Sequence, residues 1–480
     1  MNKVFGAAGI LLWLCLTCAG AEQDWTIHEW GTFTSLQDES GNAIGGINTD
    51  DEPVPRFVHR LQDFLLLGPT QVPPIFFQGA PSCHPDVTMR LETPVLYFHP
   101  PTSEQNLSHV NVMVRFRGGW LSEYYPEAMA DAPGLTDPGT FRFGHLRSNT
   151  VSSLKWSDLE IGGDWPITNT TAHVWVSPRA VEAALMRTTN GESERFLFYR
   201  GVAHIDAPLK ISRADGQLIF RSQLENLPVD WPPNIHSLWL VEIQPDGQLA
   251  FRVLHALKLV PDSNAVLTRT PASFKPGDFS QDNLQTLRTS LRRALISEGL
   301  FKDEAQALLN TWELSYFKSA GLRVFFIVPR KWVDYYLPLQ VSIPANISRV
   351  MVGRIELVTP EQRAELKELS RLTPEKIEQD RAQLWTNFYG RITYNFSTDR
   401  PSQEVMQQMN KELAQVDAGQ IKLASFVSVP KSYQIYLDLG RFRNALILEA
   451  ARTPLTAGLT NFITAYRLQA YKPVEIPANL

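Results

Sequence analysis

Residues 28–34, HEWGTFT, place a histidine, a carboxylate and a tryptophan side by side in a segment of β-branched and aromatic residues. Such a composition predicts a β-strand. Successive side chains of a strand point to opposite faces, so Glu29 shares a face with Ile27 and Phe33, while His28 lies on the other. A carboxylate on an apolar face needs a partner or a raised pKa. The stretch is therefore our candidate polar site.

Two further glutamates have comparable neighbours: Glu92 in MRLETPV (89–95) and Glu123 in WLSEYYP (120–126). If they meet Glu29, the three are candidate catalytic residues. A carboxylate pair would suit glycoside hydrolysis, in which one group is the acid and the other the base or nucleophile. In this design a glycan or another small molecule is the ligand, and its sugar rings stack on the candidate binding residues Trp30, Trp120 and Tyr124.

A second design gives the same stretch a metal. His28, with two or three carboxylates, is a candidate ligand of a divalent metal ion that activates water. A structural alternative stands beside both designs. In it the glutamates pair with arginines, His28 bonds to the backbone and Trp30 packs in the core. The sequence leaves these alternatives open.

The first 21 residues have the features of a signal peptide. Lys3 precedes an apolar run, and small residues end at Ala21. The run is shorter than the roughly 20 residues of a membrane-spanning helix, and we expect no transmembrane segment later. Cys18 lacks the flanking residues of a lipoprotein site, so we expect no lipidation. The sequence thus predicts a periplasmic or extracellular protein of bacterial type.

Charge and cysteine content exclude some partners and cross-links. The chain has 45 Lys and Arg against 50 Asp and Glu, a net charge of −5, which argues against nucleic acid as a partner. Once the signal peptide is removed, Cys83 is the only cysteine left, so no intramolecular disulfide is expected. Cys83 beside His84 is a second potential metal or redox point, although an inert thiol is the simpler interpretation. The oligomeric state is not fixed by any of these features.

The pattern changes character near residue 275. Residues 22–275 alternate as strands do and contain many prolines, which predicts an antiparallel β-sandwich-like region. Two Asp-Gly turns, at Asp215 and Asp246, predict similar hairpins in one antiparallel sheet. Residues 276–480 predict an α-rich or α+β domain. The fold class is therefore α+β.

Helical segments are expected after residue 275. They are Asn283–Ser297, Asp303–Phe317, a helix capped by Thr359, another after Thr373, Glu404–Gln415 and Arg441–Ala451. A strand is expected at 322–328, between the second and third of these helices.

Most familiar catalytic motifs are absent from the chain. It lacks the nucleophile elbow, the phosphate-binding loop and the dinucleotide fingerprint. His28 and Glu29 begin like a zinc protease motif, but Thr32 occupies the position of the second histidine. Two classes of function remain: a non-catalytic binding or envelope-interaction protein, and a secreted hydrolase that uses carboxylates near His28 with or without a metal. The missing motifs favour the first.

A set of motifs resembles a family of uncharacterised exported bacterial proteins with HEWGTFT near the mature N-terminus. The shared motifs are HEWGTFT, LETPVLYF, LSEYYP, RFLFYRGV, GLRVFFIVP and RVMVGRIELVTP. The similarity spans residues 25–359, and the motifs are specific as a group. It implies an exported protein of more than one domain and assigns no activity, cofactor or catalytic residue.

Overall fold

The structure is a computed structural model. In it 37% of the residues are in strands and 29% in helices, which is the mixed content expected of an α+β chain. It describes residues 24–47, 54–61, 84–101, 106–136, 143–224, 227, 234–393, 428–452, 456–466, 468 and 472–476. The expected signal peptide, Cys18, Cys83 and the expected helix Glu404–Gln415 lie outside the described residues.

Strands dominate the part of the chain before residue 275. In chain order the described strands are β1 (Trp25–Gln37), β2 (His59–Arg60), β3 (Met89–His99), β4 (Leu107–Arg117), β5 (Gly119–Tyr125), β6 (Met129–Asp131), β7 (Val151–Ile161), β8 (Met186–Arg187), β9 (Ser193–Glu194), β10 (Leu197–Ala203), β11 (Leu209–Ala214), β12 (Gln217–Ser222), β13 (Asn234–Ile235), β14 (Leu238–Ile243), β15 (Leu249–Leu254), β16 (Leu257–Lys258), β17 (Val266–Pro271), β18 (Gly321–Ile327), β19 (Leu339–Val341) and β20 (Ala345–Leu357).

Fifteen of these strands form one mixed sheet. Its main path runs β15-β14-β18-β20-β1-β3-β10-β5-β7-β4-β19. The first strand, β1, lies in the middle, parallel to β20 over its whole length and antiparallel to β3. Twelve of its thirteen residues are buried, which requires cover on both faces.

The sheet bends back on itself. Phe33 of β1 and Phe116 of β4 have ring centroids 6.5 Å apart, although β4 is five strands away along the path. At about 4.8 Å per strand, a flat sheet would separate them by roughly 24 Å. The bent sheet therefore encloses an aromatic core between β1 and β4. Trp332 also contributes to this core, and its ring lies 4.8 Å from Phe33.

Strands from both sides of residue 275 belong to this sheet. β18 and β20 follow that residue in the chain, yet they pair with β14 and β1. The sheet therefore does not divide at the expected boundary. The sandwich-like description of residues 22–275 stays a prediction.

Both Asp-Gly hairpins form, but not in one sheet. Asp215 and Gly216, both with positive φ, connect β11 to β12 in a three-stranded sheet with β17. Gly247, at φ +85, lies in the turn that connects β14 to β15 at the end of the large sheet. The expectation of a common sheet was wrong because a turn fixes only its own two strands, and long-range packing chooses their neighbours.

Helices cover the sheet and form the C-terminal part of the chain. The described helices are α1 (His173–Arg179), α2 (Asp282–Ser297), α3 (Lys302–Thr311), α4 (Arg330–Tyr336), α5 (Pro360–Arg371), α6 (Pro374–Thr393), α7 (Lys431–Asp438), α8 (Arg443–Ala451) and α9 (Ala457–Ala465).

The expected helix from Asp303 to Phe317 is interrupted. α3 ends at Thr311, and a π-helical turn follows from Leu314 to Lys318. The cap expected at Thr359 is confirmed. The Thr359 hydroxyl accepts a hydrogen bond from the backbone N–H of Gln362, and the side-chain oxygen of Gln362 accepts one from the backbone N–H of Thr359. No helix among the described residues combines the length and apolarity needed to cross a membrane.

Candidate functional site

His28 meets two residues that the sequence did not connect with it. His99, the last residue of β3, and Glu304, in the first turn of α3, lie on the same face of β1 as His28. His28 Nδ1 is 2.6 Å from Glu304 Oε2, and His99 Nε2 is 3.2 Å from Glu304 Oε1. All three residues are buried, and each offers one ligand atom within 4.8 Å of the others.

Local structure explains why these side chains converge. His99 pairs with Thr26 in the antiparallel register. Thr26 and His28 are two residues apart on β1 and point to the same face, so His28 and His99 share that face. Glu304 is held from the helix side, because its carboxylate accepts the Phe301 amide hydrogen at 2.7 Å. The Phe301 ring packs on both imidazoles, with centroid distances of 4.5 and 4.7 Å. The three residues are therefore oriented by backbone contacts and by packing.

Hydrogen bonding fixes the tautomer of His99. Its Nδ1 lies 3.1 Å from the Glu182 carbonyl oxygen, which can only accept, so Nδ1 carries a proton. Nε2 of the same ring faces Glu304 Oε1. Burial raises the pKa of Glu304, but hydrogen bonds from His28 and His99 outweigh it and hold the pKa below its usual value.

Glu29 belongs to a different group, on the opposite face of β1. It forms a buried ion pair with Arg349, which is its direct neighbour on β20, and accepts a hydrogen bond from the Tyr199 hydroxyl. Burial and the nearby charge of Glu29 raise the pKa of Tyr199 well above its usual range. Tyr199 is thus a neutral donor, and Glu29 has arginine and tyrosine as partners rather than a second carboxylate.

Glu92 is surrounded by arginines. Its carboxylate lies 3.3 Å from Arg90, 3.4 Å from Arg354 and 3.7 Å from Arg441, and Thr34 donates to it at 2.9 Å. Burial would raise the pKa of this carboxyl, but the arginine charges lower it to about 2. A group with that pKa is ionised at neutral pH and cannot serve as a general acid there.

Glu123 has its own pair of arginines, Arg60 at 3.1 Å and Arg200 at 3.7 Å. Glu29 and Glu92 lie on opposite faces of the sheet. Glu92 pairs with Thr32 of β1, which is three residues, or about 10 Å, along the strand from Glu29. Glu123 is on β5, which β10 separates from β3. The three glutamates therefore belong to three separate ion-pair groups.

The three candidate stacking residues are buried. Trp30 and Trp120 have no exposed surface, and the Trp120 indole donates to the Pro133 carbonyl at 2.9 Å. Tyr124 is 9% exposed and stacks on His59 with ring centroids 5.4 Å apart. These rings stabilise the core and its edge, and they do not form an exposed platform for a sugar.

Sequence reasoning missed His99 and Glu304 for different reasons. His99 directly follows the quoted run LETPVLYF, so strand alternation from His28 could have identified it once the pairing of β1 with β3 was known. Glu304 is 276 residues from His28 along the chain, and no local pattern connects the two.

Comparison with known proteins adds little to this site. No protein-family model and no curated protein matches the chain. Among solved structures, the Fcho1 Mu homology domain of Danio rerio with bound Eps15 peptide matches with 10% identity and a TM-score of 0.27, over 70% of this chain and 96% of that one. The yeast delta-COP-I mu-homology domain matches with 11% identity and a TM-score of 0.25, over 70% and 98%. At such scores these likenesses carry no argument about function.

Proposed function

We propose that this chain is an exported, non-catalytic protein of the cell envelope that binds a partner through its surface. The observation that carries the proposal is that Glu29, Glu92 and Glu123 are each neutralised by buried arginines, in three separate groups. Export rests on the signal-peptide pattern of residues 1–21. The bent, sandwich-like part of the sheet is the proposed scaffold.

Hydrolysis by paired carboxylates is poorly supported by this arrangement. Its acid and its base or nucleophile must face each other at about 5 to 9.5 Å. One of them also needs a raised pKa, whereas the pKa of Glu92 is lowered to about 2. A carboxylate fixed between two guanidinium groups is a structural element, because removal of either partner leaves a buried charge.

One surface cleft is smaller than a typical site for a drug-sized ligand. The cleft is lined by Asp38 and Gly45, by Ala445 and Glu449 of α8, and by Arg452, which follows α8. Its volume is about 130 Å³. Sites for drug-sized ligands typically occupy about 300 to 1,000 Å³. A glycan chain would not fit there.

Isosteric substitution tests the proposal. We expect Glu29→Gln, Glu92→Gln and Glu123→Gln each to lower the free energy of unfolding, while the wild-type protein hydrolyses no glycoside or ester faster than buffer does. Glu298→Gln, at an exposed position of the same charge type, should leave stability unchanged. The proposal would be overturned by a hydrolytic activity of the wild-type protein that one of the three substitutions abolishes in a variant that remains folded.

A further inference from the structure

We propose that His28, His99 and Glu304 bind a divalent transition-metal ion, with Zn²⁺ as the ion that fits best. This site goes beyond the proposed function and does not depend on it. It uses none of the three glutamates considered above, and it assigns a role to the histidine of HEWGTFT.

The chemistry of the donors selects the type of metal. Two imidazole nitrogens and one carboxylate oxygen form a mixed set of the kind that zinc accepts with three protein ligands. Calcium and magnesium prefer oxygen ligands throughout, so two histidines argue against them. Imidazole also suits copper, nickel and iron, which makes those ions the competitors to be tested.

Two of the three ligands are oriented as metal ligands usually are. A metal-binding histidine commonly donates its other ring N–H to a carbonyl or carboxylate, which fixes the tautomer. His99 does this through Nδ1 to the Glu182 carbonyl, which leaves Nε2 as the ligand atom. Glu304 is positioned by the Phe301 amide. These contacts hold ligand atoms in place without an ion.

The spacing of the ligand atoms is the strongest argument for a cation. His99 Nε2 and Glu304 Oε1 face each other at 3.2 Å, and His28 Nδ1 lies 2.6 Å from Glu304 Oε2. A metal ion bonds to such nitrogen and oxygen atoms at about 2.0 to 2.2 Å. Since the three ligand atoms lie within 4.8 Å of one another, small side-chain rotations would complete the site.

Three protein ligands leave a fourth coordination position, and burial would shield that position from bulk solvent. A catalytic zinc keeps an open position for water and substrate. Here His28 and His99 are 2% and 8% exposed, Glu304 is fully buried, and the Phe301 ring covers both imidazoles. The ion would connect β1, β3 and α3, three elements that are distant in the sequence.

Metal content and metal-dependent stability test the site. The purified mature protein would be stripped with a chelator, incubated with ZnCl₂, desalted and measured by elemental mass spectrometry, in parallel with His99→Ala and His173→Ala. His173 is the control, because it is half-buried and its Nε2 already bonds to the Asn310 carbonyl oxygen at 2.7 Å. We expect one zinc ion per chain in the wild type and the control, and an affinity lower by more than roughly 100-fold in His99→Ala.

A second readout covers the case in which a variant does not fold. Zn²⁺ should raise the Tm of the stripped wild-type protein, and a chelator should reverse the change, because a ligand that binds only the folded state stabilises it. Substituting Co²⁺ should give the visible absorption of a low-coordinate histidine site. A folded wild-type protein that retains no metal and shows no change in Tm with zinc, copper, nickel or iron would overturn the inference. That result would leave the proposed non-catalytic function intact.

Discussion

Glu29 of β1 lies directly opposite Arg349 of β20, and the two side chains form a buried ion pair. Arg349 also donates to the Leu337 carbonyl at 2.6 Å and to Asp334 at 2.9 Å. The pair joins the first strand of the sheet to the last one, across 320 residues of sequence. Its role is to satisfy two buried charges that would each destabilise the fold alone.

Arg349→Met should therefore destabilise the protein strongly. The substitution keeps the volume but leaves the Glu29 carboxylate buried without its cation, which typically costs about 3 to 5 kcal/mol. Chemical denaturation would measure the loss. The double variant Glu29→Gln/Arg349→Met removes both charges and should recover part of the stability, because no unpaired charge remains. If the double variant is no more stable than the single one, packing rather than charge explains the effect.

Glu92→Gln should change how stability depends on pH. The pKa of Glu92 is lowered to about 2 from a usual value of 4.5, so the carboxylate stabilises the folded state above pH 4.5. That contribution, on the order of 3 kcal/mol, is lost as the pH falls from 4.5 towards 2. The variant should thus be less stable than the wild type at pH 7, and the difference should shrink over this interval.

Thermal or urea denaturation from pH 7 to pH 2 would measure that difference. An equivalent substitution at the exposed Glu298 serves as the control, since it should leave the profile unchanged. A constant difference between wild type and Glu92→Gln at all pH values would show that the charge of Glu92 is not the source of its stabilising effect.

Gly31→Ala should destabilise the protein by about 1 to 3 kcal/mol. A Cβ at Gly31 would lie 2.9 Å from the Pro94 Cα and 3.2 Å from the Met351 Sδ. The close backbone approach is at the irregularity where β1 shifts register against β3. Gly277→Ala is the matched control, because a Cβ there meets nothing within 4 Å. Equal stability of the two variants would show that β3 can yield at this point.

Thr359→Ala should cost about 1 kcal/mol, since it removes the side-chain cap of α5. The control is Thr386→Ala in α6, where the threonine is exposed and its hydroxyl donates to a carbonyl of its own helix. Urea denaturation would compare the two variants with the wild type. A similar effect at both positions would mean that the cap of α5 contributes nothing of its own.

Several features follow from short-range rules and could be predicted. The strand at HEWGTFT, the turns at Asp215 and Gly247 and the cap at Thr359 each depend on residues within a few positions of one another. The contacts of His28 and Glu29 also divide between two faces as alternation requires. In these cases the local chemistry and the tertiary structure agree.

The composition of the candidate site could not be predicted in the same way. Sequence reasoning grouped Glu29 with Glu92 and Glu123 because all three have apolar neighbours. It had no information on the tertiary contacts that place an arginine beside each of them. His28 was singled out as a candidate metal ligand, but its contacts lie on β3 and on a helix far along the chain.

The sequence by itself determined the elements: a buried strand near the start, tight hairpins, capped helices and a chain with mixed α and β content. Only the tertiary structure decided which elements became neighbours, that β1 lies between β3 and β20, and that His28 meets His99 and Glu304. The physical reason is range. Backbone preferences and turns act over a few residues, whereas strand order, ion pairing and ligand clusters result from packing between segments up to hundreds of residues apart.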